Sequence, residues 1–321
     1  INGTAALHLA LQACGIGKND SVLVPSLTYI ASFQSISATG AKPIACDINE
    51  ESLLLDLDDA QKRISPNTKA IMPVHYTGGV GDLSSIYEFA KKNKLRVIED
   101  AAHAFGTIYD GNKIGSIGDI VCFSFDGIKN ITCGEGGVIL TDDADVLQKV
   151  RDARLLGVEK DTQKRYSGKR SWTYDVHNQG WRYHMSNIMA AIGIEQLNRF
   201  PEFAKKRQAL AKQYDKLFHG QNKRIQTIRR DYNTIVPHIY VVRINNLNNR
   251  EQLQKALLEK DIQVGYHYQP NHWLSYYKDN SQKPLSITDA IFPELLTLPL
   301  HPDLKRSDIV YVASELIALI K

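Results

Sequence analysis

The sequence predicts an α/β protein with a large domain and a smaller C-terminal α/β domain. The large domain is a mostly parallel sheet between helices. Three observations predict this. Up to about residue 145, short apolar runs alternate with helical stretches, the βαβ rhythm of a sheet covered on both faces. A long helical stretch then begins at Ser186 and leads into a second, smaller α/β segment. Finally, 321 residues exceed one typical core, so a second unit is expected. The boundary is placed at that long helix, dividing the chain into residues 1–185 and 186–321.

The elements follow in order. Ala5 to Cys14 is an apolar helix stopped by Gly15, and Ser21 to Val24 is a strand ended by Pro25. Ser26 to Thr39 is a helix with Gly40 beyond its end. Pro43 to Asp47 is a strand, Leu57 to Ile64 a helix and Ala70 to His75 a strand. Leu83 to Asn93 is a helix that feeds the strand Arg96 to Glu99. Ile120 to Phe125 and Gly137 to Leu140 are further strands. Residues 158 to 183 form a polar, aromatic-rich linker with little periodicity. The long helix from Ser186 to about Phe218 is expected to be interrupted at Pro201. Then come a strand (Ile235 to Ile244), a helix (Arg250 to Lys260), a strand (Gln263 to Tyr268) and a closing helix (Ser307 to Ile320). There are no internal repeats and no low-complexity tract.

Composition narrows the function classes. The chain is 43% hydrophobic and 23% charged, as soluble globular proteins are. A net charge of +4 and a pI near 8.7 suit an anionic substrate and do not point to nucleic acid. Cys14, Cys46, Cys122 and Cys133 form no CxxC pair and have no His at metal-ligand spacing, so reduced thiols are expected. No signal peptide, membrane-spanning run or lipidation motif is seen, which predicts a cytoplasmic location without membrane association. The chain opens on Ile1-Asn2-Gly3-Thr4 straight into an apolar helix, without an initiator Met, and residues upstream are expected.

Lys129, in the run FSFDGIKNITCGEGG, and Asp100, in VIEDAAHAFG, carry the chemistry. A lysine that can lose its proton and a carboxylate that cannot are what a pyridoxal 5'-phosphate (PLP) enzyme requires. The amine holds the cofactor aldehyde and the acid keeps the pyridine nitrogen protonated. Taken alone, Lys129 reads equally as a surface lysine in a turn, and Asp100 as a loop-capping strand end. Both fall at strand ends of the predicted parallel sheet, where ligands gather. His103 has the reach to pack on the cofactor ring, or is a structural histidine. Gly3-Thr4-Ala5 opens the first helix, whose unpaired N–H groups favour phosphate, although Thr4 is equally a simple N-cap. Ser124 is a second candidate phosphate ligand. Tyr29 reads as an aromatic that stacks on a flat ring, or as a core aromatic. Tyr183, His184, Ser186 and Asn187 stand at the start of the long helix and offer polar groups to an anion, including one in a neighbouring subunit. His267 and His272 lack a third ligand at recognisable spacing, so no metal is expected. Lys205-Lys206-Arg207 and Arg229-Arg230 read as solvated faces.

Together the runs NGTAALHLAL, PSLTY, EDAAHAFG, FSFDGIKNITCGEGG, YHMSNIMAAIG, HYQPNH and LPLHPDL resemble the DegT/DnrJ/EryC1/StrS family of nucleotide-sugar aminotransferases. The resemblance implies the fold type I architecture of PLP-dependent transferases. It implies that Lys129 forms the Schiff base, that Asp100 pairs with the pyridine nitrogen, and that His103 lies along the ring. It assigns Tyr29 to ring stacking, and Thr4, Ala5 and Ser124 to the phosphate. His184 stands where many members carry an Asn or Arg that reaches the partner subunit's phosphate. Asp126 replaces a frequent His and has no assigned role. Members usually carry several dozen residues before the first motif. The family site is shared across a homodimer.

The resemblance further implies amino transfer from glutamate to a keto-sugar nucleotide. Sugar 3-dehydratases of the family have His in place of the lysine, which Lys129 argues against. The run KNITCGEGG looks more like members that aminate C4 than those that aminate C3, so a dTDP- or UDP-4-keto-6-deoxyhexose for O-antigen or another surface polysaccharide is expected. Amination at C3, a non-catalytic PLP-binding regulator and a nucleotide-binding α/β protein stand as alternatives. The last lacks the usual GxGxxG.

Overall fold

The computed structural model describes residues 1–158, 174–279 and 281–320. Its first part runs α1 (Gly3–Ala13), β1 (Ser21–Pro25), α2 (Ile30–Ala38), β2 (Lys42–Cys46), α3 (Leu57–Arg63), β3 (Thr68–Ile71), α4 (Leu83–Asn93) and β4 (Arg96–Asp100). A small hairpin, β5 (Ile108–Tyr109) and β6 (Asn112–Lys113), precedes β7 (Ile120–Ser124), β8 (Gly137–Leu140) and α5 (Ala144–Ala153). Six strands form one sheet in the order β2-β1-β3-β4-β7-β8. All neighbours are parallel except β8, which runs antiparallel to β7.

Alternation along β1 shows why helices cover both faces. Val22 and Val24 pack with Leu7 and Leu11 of α1, Phe33 and Ile36 of α2, and Val146 of α5. Leu23, between them, joins Ala60 of α3 and Leu83, Ile86 and Ala90 of α4 on the other side. Carboxylates start the surface helices. Asp56, Asp82 and Asp143 each accept backbone N–H groups at the N-caps of α3, α4 and α5.

The remaining chain forms α6 (Asn187–Phe218), β9 (Ile225–Thr227), β10 (Tyr240–Ile244), α7 (Arg250–Leu258), α8 (Ser286–Ile291), β11 (Leu295–Leu298) and α9 (Arg306–Leu319). An antiparallel sheet in the order β11-β10-β9 packs against α6, α7 and α9 through Tyr214, Val242, Leu257 and Leu316. A further cluster joins the two parts, with Leu27, Ile48 and Tyr76 meeting Val241, Phe292 and Leu295.

Several expectations are corrected. Pro201 does not interrupt α6, which runs through it. A proline removes one N–H, and at this exposed position water can satisfy the freed carbonyl. The predicted strand at 235–244 begins only at Tyr240, because Val236 donates its N–H to Thr107 Oγ1 and Ile235 donates to Asp231. Residues 263–268 make a single bridge, Gly265 to Thr297, and no strand. Helix α2 starts at Ile30 and not at Ser26. The carbonyls of Ser26 and Thr28 accept instead from the Asn271 side chain. Strands β9 and β11 and helices α5 and α8 were not anticipated. Of the linker predicted at 158–183, residues 159–173 lie outside the described residues.

The basic runs are only partly solvated. Arg207 is buried and donates to the carbonyls of His238 and Leu300. Arg230 donates to the Ser52 carbonyl and to Thr77 Oγ1. Arginine's planar fork suits such carbonyl clamping. All four cysteines are free. Among the described residues no helix is long and apolar enough to cross a membrane.

Candidate active site

A cavity of about 370 Å³ opens where β4 and β7 end, at the carboxyl edge of the sheet. Asp100, His103, Ser124 and Lys129 line it with Thr4 and Tyr29. Six of the eight residues singled out from the sequence thus meet in one place. Ala5 and His184 do not line it.

Asp100 is the last residue of β4 and is buried. Ser32 Oγ of α2 donates to Oδ2 at 2.7 Å, and the Ala102 N–H donates to Oδ1 at 3.2 Å. Ser32 is itself 3.0 Å from Thr28 Oγ1. Two donors thus fix the orientation of a buried carboxylate.

Lys129 sits in the turn after β7. Asp126 shapes that turn. Its Oδ1 accepts from the Ile128 N–H at 3.2 Å and its carbonyl accepts from the Lys129 N–H at 3.0 Å. Asn130 fastens the far side by donating to the carbonyls of Phe105 and Val236. Burial lowers the Lys129 pKa, and the carboxylates of Asp100 and Asp126 partly oppose that. A partly desolvated amine deprotonates more easily and is a better nucleophile.

The first helix presses its N-terminus onto the corner between β7 and β8. Two glycines permit this. A Cβ on Gly137 would lie 2.2 Å from the Asn2 carbonyl oxygen, and one on Gly3 would lie 2.8 Å from Ser124 Cβ. Asn2, and not Thr4, is the N-cap. Its Oδ1 accepts the Ala5 N–H at 2.9 Å, so that amide is already engaged. Thr4 is left at the cavity wall beside Ser124.

Tyr29 caps α2 and is 55% exposed, so it is not a core aromatic. Its ring centroid lies 5.4 Å from that of Tyr268. His103 is buried, with Nε2 3.1 Å from Tyr268 Oη. Burial, then Lys129, His238 and His267, hold its pKa well below the ordinary histidine value. His267 and His272 turn to different partners, Thr297 in one case and Ser26 and Asp289 in the other. Among the described residues no three His, Cys, Asp or Glu side chains form a metal-binding group.

Reasoning from sequence missed Ser32, Glu135, His267 and Tyr268, and gave Asp126 no role. Asp126 was recoverable, since Asp-Gly-x-Lys is a side-chain-capped turn. Ser32 and Tyr268 carry no local signal, because their partners lie far away in the chain.

The site fits PLP. An accessible amine, a buried carboxylate for the ring nitrogen, and a helix N-terminus beside a hydroxyl for the phosphate are the parts that this cofactor needs.

Comparisons with known proteins agree with this geometry. The profile of the DegT/DnrJ/EryC1/StrS aminotransferase family matches residues 1–317. The uncharacterized protein MJ1066 of Methanocaldococcus jannaschii is 34% identical over 317 residues, which cover 97% of this chain and 82% of that protein. Spr1654 from Streptococcus pneumoniae, in its PLP-form, superposes with a TM-score of 0.91 at 29% identity, covering 99% of this chain and 85% of that one. DesV of S. venezuelae, in complex with a ketimine intermediate, gives 0.89 at 31% identity, covering 100% and 83%. The sugar aminotransferase CalS13 from Micromonospora echinospora gives 0.89 at 27% identity, covering 99% and 85%.

Proposed function

The chain belongs to the DegT/DnrJ/EryC1/StrS aminotransferase family, a PLP-dependent family, and from that premise we propose a specific reaction. The protein transfers the amino group of glutamate to a keto-sugar nucleotide, a dTDP- or UDP-4-keto-6-deoxyhexose, in the cytoplasm. Its product serves O-antigen or another surface polysaccharide. The observation that carries this reading is the half-buried Lys129 amine facing the same cavity as an Asp100 carboxylate held by Ser32.

When bound, PLP supplies an electron sink for charge developing at the donor Cα. The protein's own residues do the rest. Lys129 would hold the cofactor through its amine and, when that amine is free, would take the proton from the donor Cα and deliver one to the sugar carbon that receives the amino group. Asp100 would pair with the ring nitrogen, and Ser32, which donates to it, keeps that carboxylate aimed. Thr4, Ser124 and the N-terminal amides of α1 would hold the phosphate, Tyr29 would stack on the ring, and His103 would lie along it. His184 would act across a subunit boundary, since it does not line its own chain's cavity. In this reading residues 1–185 are the cofactor-binding domain, and residues 186–321 the connecting helix and smaller domain.

A homodimer is part of the proposal. The first turns of α6 expose Ile188 at 78%, Ile194 at 64% and Leu197 at 53%, a run of large apolar side chains that a second copy would cover. The free thiols fit a reducing compartment.

Borohydride reduction followed by peptide mass spectrometry tests the core of this reading. Yellow protein should bleach and yield a reduced pyridoxyl adduct on Lys129, and Lys129→Ala should yield neither adduct nor turnover. Colourless protein that takes up no PLP would overturn it. A panel of dTDP- and UDP-keto sugars with glutamate, with the aminated carbon located by NMR, tests the substrate.

A further inference from the structure

We propose that Tyr268, from the C-terminal part of the chain, is the positioning residue for His103, holding its imidazole in one orientation and one tautomer. The inference deepens the proposed function and rests on it only for the catalytic consequence.

The geometry is specific. Among the described residues, the His103 ring makes one hydrogen bond, from Nε2 to Tyr268 Oη at 3.1 Å. Its Nδ1 is buried without a hydrogen-bond partner, and the His238 ring lies 4.4 Å away between centroids. Neither nitrogen of His238 has a partner, so that ring contributes shape and fixes no tautomer. The only directional instruction to His103 therefore comes from the phenol. Desolvation, then the charges of Asp100, Tyr29 and Asp126, pushes the pKa of the half-buried Tyr268 well above the ordinary phenol value. It stays a neutral phenol, whose hydroxyl engages Nε2 alone. Held at Nε2 and by no partner at Nδ1, the imidazole takes one orientation and one tautomer. The surroundings keep the ring neutral. Burial first, and then Lys129, His238 and His267, oppose a positive charge there.

Tyr268 is itself held. It follows His267, whose Nδ1 is 2.9 Å from Thr297 Oγ1 and whose carbonyl accepts from Tyr76 Oη. Its ring also meets Tyr29. A neutral imidazole beside the cofactor ring leaves the pyridinium to be balanced by Asp100. An imidazolium would oppose that balance. Tyr268 thus links the fold of the C-terminal part to the electronics set by the N-terminal part.

The first test uses apo protein with ¹⁵N-labelled histidine. The His103 signals should report a single neutral tautomer in the wild type from pH 6 to 8. Tyr268→Phe should show both tautomers. A wild-type mixture of tautomers, or an unchanged single tautomer in Tyr268→Phe, would overturn the proposal whatever the cofactor does. The second test uses PLP-loaded enzyme. Tyr268→Phe should lower kcat roughly tenfold, with KM for the amino donor changed less than about threefold, and should shift the pH midpoint of the cofactor absorbance. In a His103→Gln background the same substitution should move neither, since its partner is gone. Equal effects in both backgrounds would mean that Tyr268 acts by packing alone, and would sink the idea. Wild-type protein that takes up no PLP would refute the proposed function while the apo measurement still decides this one.

Discussion

Substituting Gly137 by alanine should damage the phosphate end of the site without touching any side chain that lines it. A Cβ there would lie 2.2 Å from the Asn2 carbonyl oxygen, 2.5 Å from its carbon and 3.0 Å from the Gly3 nitrogen. Ordinary van der Waals contact begins near 3.4 Å, so the N-terminus of α1 must retreat by about 1 Å. The obstructing atoms are all backbone, so no rotamer change relieves the overlap. Overpacking of this kind costs about 1–3 kcal/mol. The retreat also withdraws the amides and the dipole end proposed to hold the phosphate, each interaction worth about 0.3–1 kcal/mol and up to about 2 kcal/mol when partly buried. A loss of about 1.4 kcal/mol is tenfold in affinity. Gly137→Ala should therefore unfold a few degrees lower as apo protein and bind PLP roughly tenfold more weakly, read by absorbance titration. Gly127→Ala is the control. Its nearest new contact is the Gly134 carbonyl at 3.9 Å, so it should match the wild type closely in affinity. If Gly137→Ala bound PLP as tightly as the wild type, the close approach of α1 to β8 would not be what builds the phosphate site.

Three further outcomes are expected. Leu11→Ala removes a fully buried side chain between α1 and the sheet and should cost about 2–5 kcal/mol, measured by denaturant unfolding. His8, His103, His238 and His267 have folded-state pKa values below the usual 6.5, so acid protonates the unfolded chain first and stability falls as pH drops through that range. Each contributes at most about 1.4 kcal/mol per pH unit, and thermal scans from pH 7.5 to 5.5 should show a shallower slope for His238→Gln. Ile194→Glu on the exposed face of α6 should convert a dimer to monomer in light scattering, since burying a lone carboxylate costs several kcal/mol. A dimer that survives this change would place the interface elsewhere.

Much of this was legible from the chain itself, for identifiable reasons. The strand ends at Asp100 and Ser124 could be read because interior strands of a parallel sheet are short, continuous apolar runs with a polar residue where they leave the sheet. The turn carrying Lys129 could be read from its glycines. Less legible was the region after α6, where β9 and β11 have only 3 and 4 residues and their pattern is too brief to stand out. Arg207 and Arg230 were misread for another reason. Charge alone does not show whether a guanidinium meets water or a row of buried carbonyls.

The sequence alone determined the parts of the site that are local. A helix N-terminus, a strand-end carboxylate and a lysine in a capped turn each follow from residues within a few positions of one another. Only the tertiary structure decided what those parts touch. Ser32 reaches Asp100 because α2 packs beside β4, and Tyr268 reaches His103 because the C-terminal part folds back over the sheet edge. Gly137 matters because α1 lies against β8. Such contacts join residues up to 165 positions apart, and no short-range pattern encodes them, because packing of the whole core selects them.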